Sequence, residues 1–270
     1  MGTQTHGRVL IIAGSDSGGG AGIQADIKAV TALGGYAMTA ITALTAQNTE
    51  GVHDVHPVPS PFLRWQIDVV VEDLGVDAIK TGMLHDADTI DCVVDLMRAS
   101  GAGVPLIVDP VMVAQSGASL LDSGAVGAMV ERLLPHAALL TPNLPEAEAL
   151  LGRAVPDEAA MEQAARDLQA MTGGAVLLKG GHLPGNALRD VLIGPDGRTR
   201  RFQHARIHTR HTHGTGCTLA SAIATGIAQG MPLDHAVARA RDYLLEAIRT
   251  APGLGAGGGP VNHCHTVRGG

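Results

Sequence analysis

The chain has 270 residues, 45% of them hydrophobic and 17% charged, enough to fill a sizeable core as one large domain or two small ones. A net charge of −7 and an aromatic content of 2% argue against a basic or base-stacking nucleic-acid surface and against electrostatic docking on anionic lipid. Three cysteines cannot build a disulfide framework and suit a reducing cytoplasm, and no apolar run approaches the roughly 20 residues that span a bilayer.

Short apolar runs punctuate the chain. The first, residues 9–13, reads as a strand rather than a signal peptide, because it is short and leads into a glycine-rich loop followed by a helical segment over 23–33. A second run covers 38–44. After it, Phe62, Trp65, Val69 and Leu74 mark an apolar helix stripe, with Trp65 expected in the core. Further strands are predicted at 78–81, 106–109, 137–141, 175–179 and 191–193. Between them, Ile90, Val93, Val94 and Met97 form one helix face, with Cys92 and Met97 buried, and Met161, Ala164, Ala165, Leu168 and Met171 form another. Pro195-Asp196-Gly197 separates the 191–193 run from one over 201–208, which predicts a hairpin and hence an antiparallel strand at one sheet edge. Val237, Ala240, Leu244 and Ile248 mark a last helix, and residues 253–259 form a glycine-rich stretch that reads as a flexible loop. Runs without polar alternation suit strands buried on both faces, so the pattern implies a layered α/β fold around a mostly parallel sheet. Nothing marks a domain boundary, and a single domain over 1–270 is expected.

In open α/β sheets, ligands bind beyond the carboxyl ends of the strands. The segments there are polar or glycine-rich: 14–22, Thr45-Ala46-Gln47-Asn48, Thr81-Gly82-Met83, Asp109-Pro110, Thr141-Pro142-Asn143 and Lys179-Gly180-Gly181-His182. The first resembles a nucleotide fingerprint without being one. Gly20 stands where a Walker A loop needs lysine, and the Gly18, Gly20, Gly22 spacing is not that of a dinucleotide-binding turn. Its glycines would still let backbone amides approach a ligand, or simply make a tight turn. His213-Gly214-Thr215-Gly216-Cys217-Thr218 precedes a run of small and apolar residues, so it predicts a helix N-terminus able to hold an anion. Cys217 in that field is read either as a thiolate or as a group beside an oxyanion hole, with helix packing as the plain alternative. Asn143 and Glu146 have the spacing of a capping box, and Glu146 could also face Mg2+ through water. Asp109 is either a turn residue or a charge near a metal phosphate. The thirteen histidines match no zinc spacing and read as loop or solvated residues.

Laid out in order, Gly14-Ser15-Asp16-Ser17-Gly18-Gly19-Gly20-Ala21-Gly22, Ala43-Leu44-Thr45-Ala46-Gln47-Asn48, Lys80-Thr81-Gly82-Met83, Val108-Asp109-Pro110, Thr141-Pro142-Asn143-Leu144-Pro145-Glu146, Leu178-Lys179-Gly180-Gly181-His182 and His213-Gly214-Thr215-Gly216-Cys217-Thr218 closely resemble the hydroxymethylpyrimidine/phosphomethylpyrimidine kinases of the ribokinase-like superfamily. The resemblance covers nearly the whole chain. It implies a three-layer α/β/α sandwich and transfer of phosphate from ATP, with Mg2+, to an aminopyrimidine alcohol and then to its monophosphate in thiamine biosynthesis. It also implies a homodimer, while composition points to the cytoplasm and to no nucleic-acid or membrane partner. By the same resemblance, Gln47 reads the pyrimidine edge, and Gly14, Ala21, Asp26 and Met83 complete the substrate pocket. Gly214, Thr215, Gly216 and Cys217 form the anion hole. Asn143 and Lys179 lie near the nucleotide phosphates, and Asp109 and Glu146 lie near those phosphates and Mg2+, the metal held indirectly. Ribokinase relatives usually carry an aspartate base where this chain has Cys217; as a thiolate, Cys217 would take the hydroxymethyl proton and matter more in the first transfer. Three readings compete: a pyridoxal-type kinase, a cysteine hydrolase or acyltransferase using Cys217, and a nucleotide-binding module without catalysis.

Overall fold

The computed structural model describes residues 6–100, 103–113, 117, 120–122, 124–181, 183 and 185–267; His182, from the motif after the 175–179 run, lies outside them. β1 (Arg8–Asp16) is buried along almost its whole length and feeds α1 (Gly22–Ala32) through the glycine-rich loop. β2 (Tyr36–Gln47) returns parallel to β1, and β3 (Val52–Pro57) turns back antiparallel against β2. The chain then alternates: α2 (Ser60–Leu74), β4 (Ala78–Thr81), α3 (Ala87–Ser100), β5 (Leu106–Val108), α4 (Ala125–Ala128), β6 (Leu139–Leu140), α5 (Leu144–Leu151), α6 (Glu158–Thr172) and β7 (Ala175–Lys179). β8 (Ala187–Ile193) and β9 (Thr199–Ala205) form the expected hairpin, and α7 (Thr215–Ala228) and α8 (Leu233–Arg249) follow. In the hairpin turn, Gly197 takes φ +75° and the Gly194 N–H donates to Arg198 O. None of the helices, among the described residues, is long and apolar enough to cross a membrane.

The strands make one 9-stranded sheet in the order β3-β2-β1-β4-β5-β6-β7-β8-β9. The run from β2 to β7 is parallel, and antiparallel strands lie at both edges, where the sequence suggests only one. β3, Val-His-Asp-Val-His-Pro, is polar and exposed, so it lacks the apolar run that announces a strand. Helices α2 to α6 cover one face, where Leu10, Ile12, Ile79 and Val108 meet Leu63, Ile90, Leu144 and Leu168. Helices α1, α7 and α8 cover the other, where Val9, Ile11 and Ile107 meet Val30, Leu219 and Val237. This is the expected three-layer α/β/α sandwich.

Two expectations do not hold. Trp65 is not core: it is 63% exposed, with Phe62 and Val69 beside it in solvent. Helix α2 carries two apolar stripes separated by polar residues, and the sheet takes the Leu63–Ile67 stripe instead, leaving Phe62 and Trp65 in an edge-to-face pair outside. Cys92 and Met97 are buried as expected. The 253–259 stretch is not a free loop either. The Gly257 N–H donates to Thr49 Oγ1, Arg210 donates to Ala256 O, and a Cβ at Gly255 or Gly257 would collide with Thr49. Its glycines permit close packing.

Lys80 is the odd residue of the core. It points from the middle of β4 toward α1 and α7, with no exposure, and its ammonium lies 2.9 Å from both oxygens of Asp26, itself fully buried. Ser221 of α7 donates to the same carboxylate at 2.7 Å. Burial opposes the ammonium's charge most strongly, but Asp26, joined by other groups including Asp109, outweighs it and holds Lys80 above its usual range. The trio ties the sheet to both helices. Removing one partner leaves a buried charge alone, so Lys80→Met is expected to cost about 3–5 kcal/mol in urea denaturation, largely recovered by adding Asp26→Asn. A loss below about 1 kcal/mol for Lys80→Met would show that the pair is not what fixes these helices.

Candidate active site

Chain order reverses at β1: β2 lies on one side of it and β4 on the other, with α1 and α2 on opposite faces. The loops leaving β1 and β4 therefore diverge and open a crevice at the carboxyl end of the sheet. A cleft of about 900 Å³ runs from there past the ends of β5, β6 and β7 to the β8–β9 hairpin. Gly14, Ala21, Gln47, Met83, Asp109, Asn143, Glu146, Lys179, Gly214, Thr215, Gly216 and Cys217 all line it. Asp26 does not: it is fully buried beneath the cleft floor, with Lys80 on both its oxygens.

The glycine-rich loop wraps an anion of its own. Gly18 N–H donates to Asp16 Oδ1 at 2.8 Å, and Gly20 and Ala21 donate to Oδ2 at 3.0 and 2.8 Å. The amides that the sequence offers to a ligand are thus spent on Asp16. His213 completes the set, its Nε2 lying 2.8 Å from Asp16 Oδ2. Burial alone would raise the Asp16 carboxyl, but His213 and the Ala21 and Gly18 amides outweigh it and hold the group below its usual range. His213, expected as a loop histidine, is instead a partly buried ring 3.4 Å from the Gln47 amide. Met83 forms an apolar wall against Gly14.

Opposite lies the N-terminus of α7. Its cap is Gly214 at φ +81°, no side chain caps it, and its first turn carries no acid. A Cβ on Gly214 would collide with Gly20 O, so only glycine lets this turn close on the loop. The first-turn N–H groups thus face the cleft at the positive end of the helix dipole. Lys179 stands beside them, its ammonium 3.2 Å from Asp109 Oδ1, and a Cβ built on Gly216 would be 3.5 Å from both Lys179 Nζ and Asp109 Oδ2. Burial weakens the lysine's charge, but Asp109 and Glu146 hold it above its usual range. Asn143 and Glu146 form the predicted capping box, at 2.7 and 2.9 Å, while lining the cleft. Burial, aided by Asp109 and opposed by Lys179, pushes the Glu146 carboxyl up to about 7.

Cys217 departs from the thiolate reading. Burial pushes its thiol up to about 12, with Asp26 and Asp109 adding to the effect and Lys80 opposing it. Desolvation and nearby carboxylates defeat the helix dipole, and the sulfur stays protonated at neutral pH. Among the described residues, no group of three or more His, Cys, Asp or Glu is placed to hold a metal ion by itself.

The phosphomethylpyrimidine kinase family model matches residues 16–262. The chain is 54% identical over 259 residues to a thiamine biosynthesis bifunctional protein of Geobacter sulfurreducens, covering 96% of this chain and 52% of that one, about half its length. It is 50% identical over 260 residues to the hydroxymethylpyrimidine/phosphomethylpyrimidine kinase of Rhizobium meliloti, covering 95% and 96%. The ADP complex of Bacillus subtilis pyridoxal kinase superposes with a TM-score of 0.87 at 32% identity, covering 95% of this chain and 97% of that one.

The Glu146 shift has a consequence for stability. The folded carboxyl titrates near 7 against an ordinary 4.5, so the folded state holds this proton more tightly. Its contribution is complete below pH 4.5 and is lost as pH rises through 7. Glu146→Gln is therefore expected to match the wild type near pH 4 and to exceed it by on the order of 2–3 kcal/mol at pH 8, in denaturation curves across that range. Parallel curves at every pH would contradict the assignment.

Proposed function

Because the chain belongs to the phosphomethylpyrimidine kinase family, we propose that it transfers the γ-phosphoryl group of ATP to the hydroxymethyl oxygen of 4-amino-5-hydroxymethyl-2-methylpyrimidine, and then to the resulting monophosphate, in thiamine biosynthesis. The observation that carries this is the uncapped first turn of α7, flanked by Lys179, in the same cleft as Gln47. Phosphoryl transfer asks a protein mainly for positioning and for donors aimed at the migrating charge, and the α7 turn, Lys179 and Gln47 support this reading. Gln47 offers donor and acceptor to the ring edge, Met83 and Ala21 flank it, and Gly14 lets it approach the sheet. The amides of Gly214 to Cys217 and the Lys179 ammonium hold the phosphoryl oxygens. The alcohol oxygen bonds to the γ-phosphorus as the bridging oxygen of ADP departs, and the alcohol proton leaves on a phosphoryl oxygen. The far lobe of the cleft, lined by Leu188, Ile207, Leu244 and Ile248, suits an apolar base such as adenine.

Asp109, at the end of β5, and Glu146, in the first turn of α5, are hard oxygen donors, close enough that Asp109 raises the cost of charge on Glu146. They fit a Mg2+ ion held partly through water and phosphate oxygens, with Asn143 fixing Glu146. Such an ion would neutralise charge on the nucleotide phosphates. The whole chain would act as one domain, and three unpaired cysteines suit the cytoplasm. The exposed Phe62–Trp65 face of α2 suits a homodimer contact, and Trp65→Glu is expected to lower the sedimentation mass toward one chain.

The direct test incubates the protein with the pyrimidine alcohol, ATP and Mg2+ and follows mono- and diphosphate by mass; no product would overturn the proposal. Pyridoxal-type alcohols are the rival acceptors, supported by the fold match at 32% identity, and a competition assay with both alcohols ranks them. A neutral Cys217 predicts that Cys217→Ala slows both transfers by similar factors, less than about 100-fold. A general base would be worth about 10²–10⁴ in the first transfer alone. Loss confined to that step would restore the base role.

A further inference from the structure

The Gln47 amide has two polar neighbours whose protons can be counted. Its oxygen position lies 3.2 Å from Thr45 Oγ1 and its nitrogen position 3.4 Å from His213 Nε2. That same His213 nitrogen is 2.8 Å from Asp16 Oδ2, and Asp16 already accepts from the N–H groups of Gly18, Gly20 and Ala21. A carboxylate already accepting from three backbone amides is ionised, so the His213 Nε2 beside it carries a proton and cannot accept one from Gln47. Thr45 leads to the same result. Its single hydroxyl proton goes to Ser15 O at 2.8 Å, which can only accept, so its oxygen faces Gln47 as an acceptor. An amide with nitrogen toward His213 and oxygen toward Thr45 sets donor against donor and acceptor against acceptor.

We infer that the Gln47 carboxamide rests the other way round, Nε2 donating to Thr45 Oγ1 and Oε1 turned toward the His213 Nε2–H, whose one proton goes to Asp16 Oδ2 at 2.8 Å with Gln47 as the longer second branch at 3.4 Å, and that His213, held by Asp16, is the positioning residue that sets how the ring is read. Gly20 seats the histidine: a Cβ there would come 2.5 Å from His213 Cδ2. The backbone is fixed as well, since Ser17 Oγ donates to Gln47 O and accepts from Gln47 N, both at 2.8 Å.

The consequence for recognition rests on the aminopyrimidine reading above. His213 adjoins Gly214, so the amide's acceptor lies toward the phosphoryl cradle and its donor toward β2. On the ring, the groups next to the hydroxymethyl carbon run from the 4-amino donor to the N3 acceptor. With the hydroxymethyl group at α7, the two orders match. A 4-oxo analogue presents an acceptor and then an N3–H donor, and meets the amide mismatched at both positions. Sites that hydrogen-bond a substrate edge reject such analogues by factors on the order of 10⁴.

Two measurements test the inference. In the ligand-free protein, 15N NMR should find His213 protonated on Nε2, and a Gln47 side-chain proton whose resonance moves in Thr45→Val. Protonation on Nδ1 alone, or Gln47 resonances indifferent to Thr45→Val, overturns the inference whatever the substrate. In kinetics, the ratio of kcat/KM for the 4-amino over the 4-oxo alcohol should be on the order of 10³ or more. It should fall at least about tenfold in His213→Phe, which fills the ring's place but donates nothing, and recover in His213→Gln, whose amide can donate. An unchanged ratio in a His213→Phe protein with native circular dichroism overturns it. Turnover of neither alcohol by the wild type would instead overturn the substrate assignment, while the resonance experiment still decides the orientation.

Discussion

The first turn of α7 has no side-chain cap and no acid; Thr215 N–H reaches back to Thr212 O at 3.3 Å, and the turn's other N–H groups are left at the positive end of the helix beside the cleft. That positive pole is the interaction on which the site depends, and it must not be cancelled from within. The surroundings are acidic: Asp16, Asp26, Asp109 and Glu146 all stand in or beneath the cleft. Each is neutralised locally. Asp16 is wrapped by the glycine loop and His213, Asp26 by Lys80 and Ser221, and Asp109 by Lys179 and Thr141. Glu146 is left partly protonated near neutrality. The net effect is a pocket lined with carboxylates in which the unanswered dipole is the helix. A polyanion can enter such a pocket although the chain as a whole is acidic.

Much of this was legible in the sequence because it is local. Branched apolar runs placed the parallel strands β1, β2 and β4 to β7, the Asp196-Gly197 turn placed the hairpin, and Asn143 with Glu146 announced a cap that the structure contains. Glycines ahead of a small-residue helix marked the anion site. What escaped were pairings between distant residues. His213 reaches Asp16 across 197 positions, and Lys80 reaches Asp26 across 54, and neither leaves a spacing signal. A lysine inside an apolar strand run is the one hint that a buried acid waits for it. β3 was invisible because an exposed edge strand needs no apolar pattern, and Trp65 was misplaced because α2 has two apolar stripes and the sheet can cover only one.

The same charge accounting explains why a thiol suits the position of Cys217, where ribokinase relatives usually carry an aspartate. Lys80 is committed to Asp26 and Lys179 to Asp109, so a further carboxylate at this position would find no cation to answer it. It would also face the acceptor, and the two transfers proposed above differ most there: the first acceptor is a neutral alcohol, the second a phosphate monoester already largely ionised. An aspartate helps the first by taking a proton and hinders the second by repulsion. A thiol pushed up to about 12 does neither. On the proposed function, a hole that serves both acceptors is better closed by a neutral wall, which leaves the amides of α7 and the lysine beside them to stabilise the migrating phosphoryl group in either transfer.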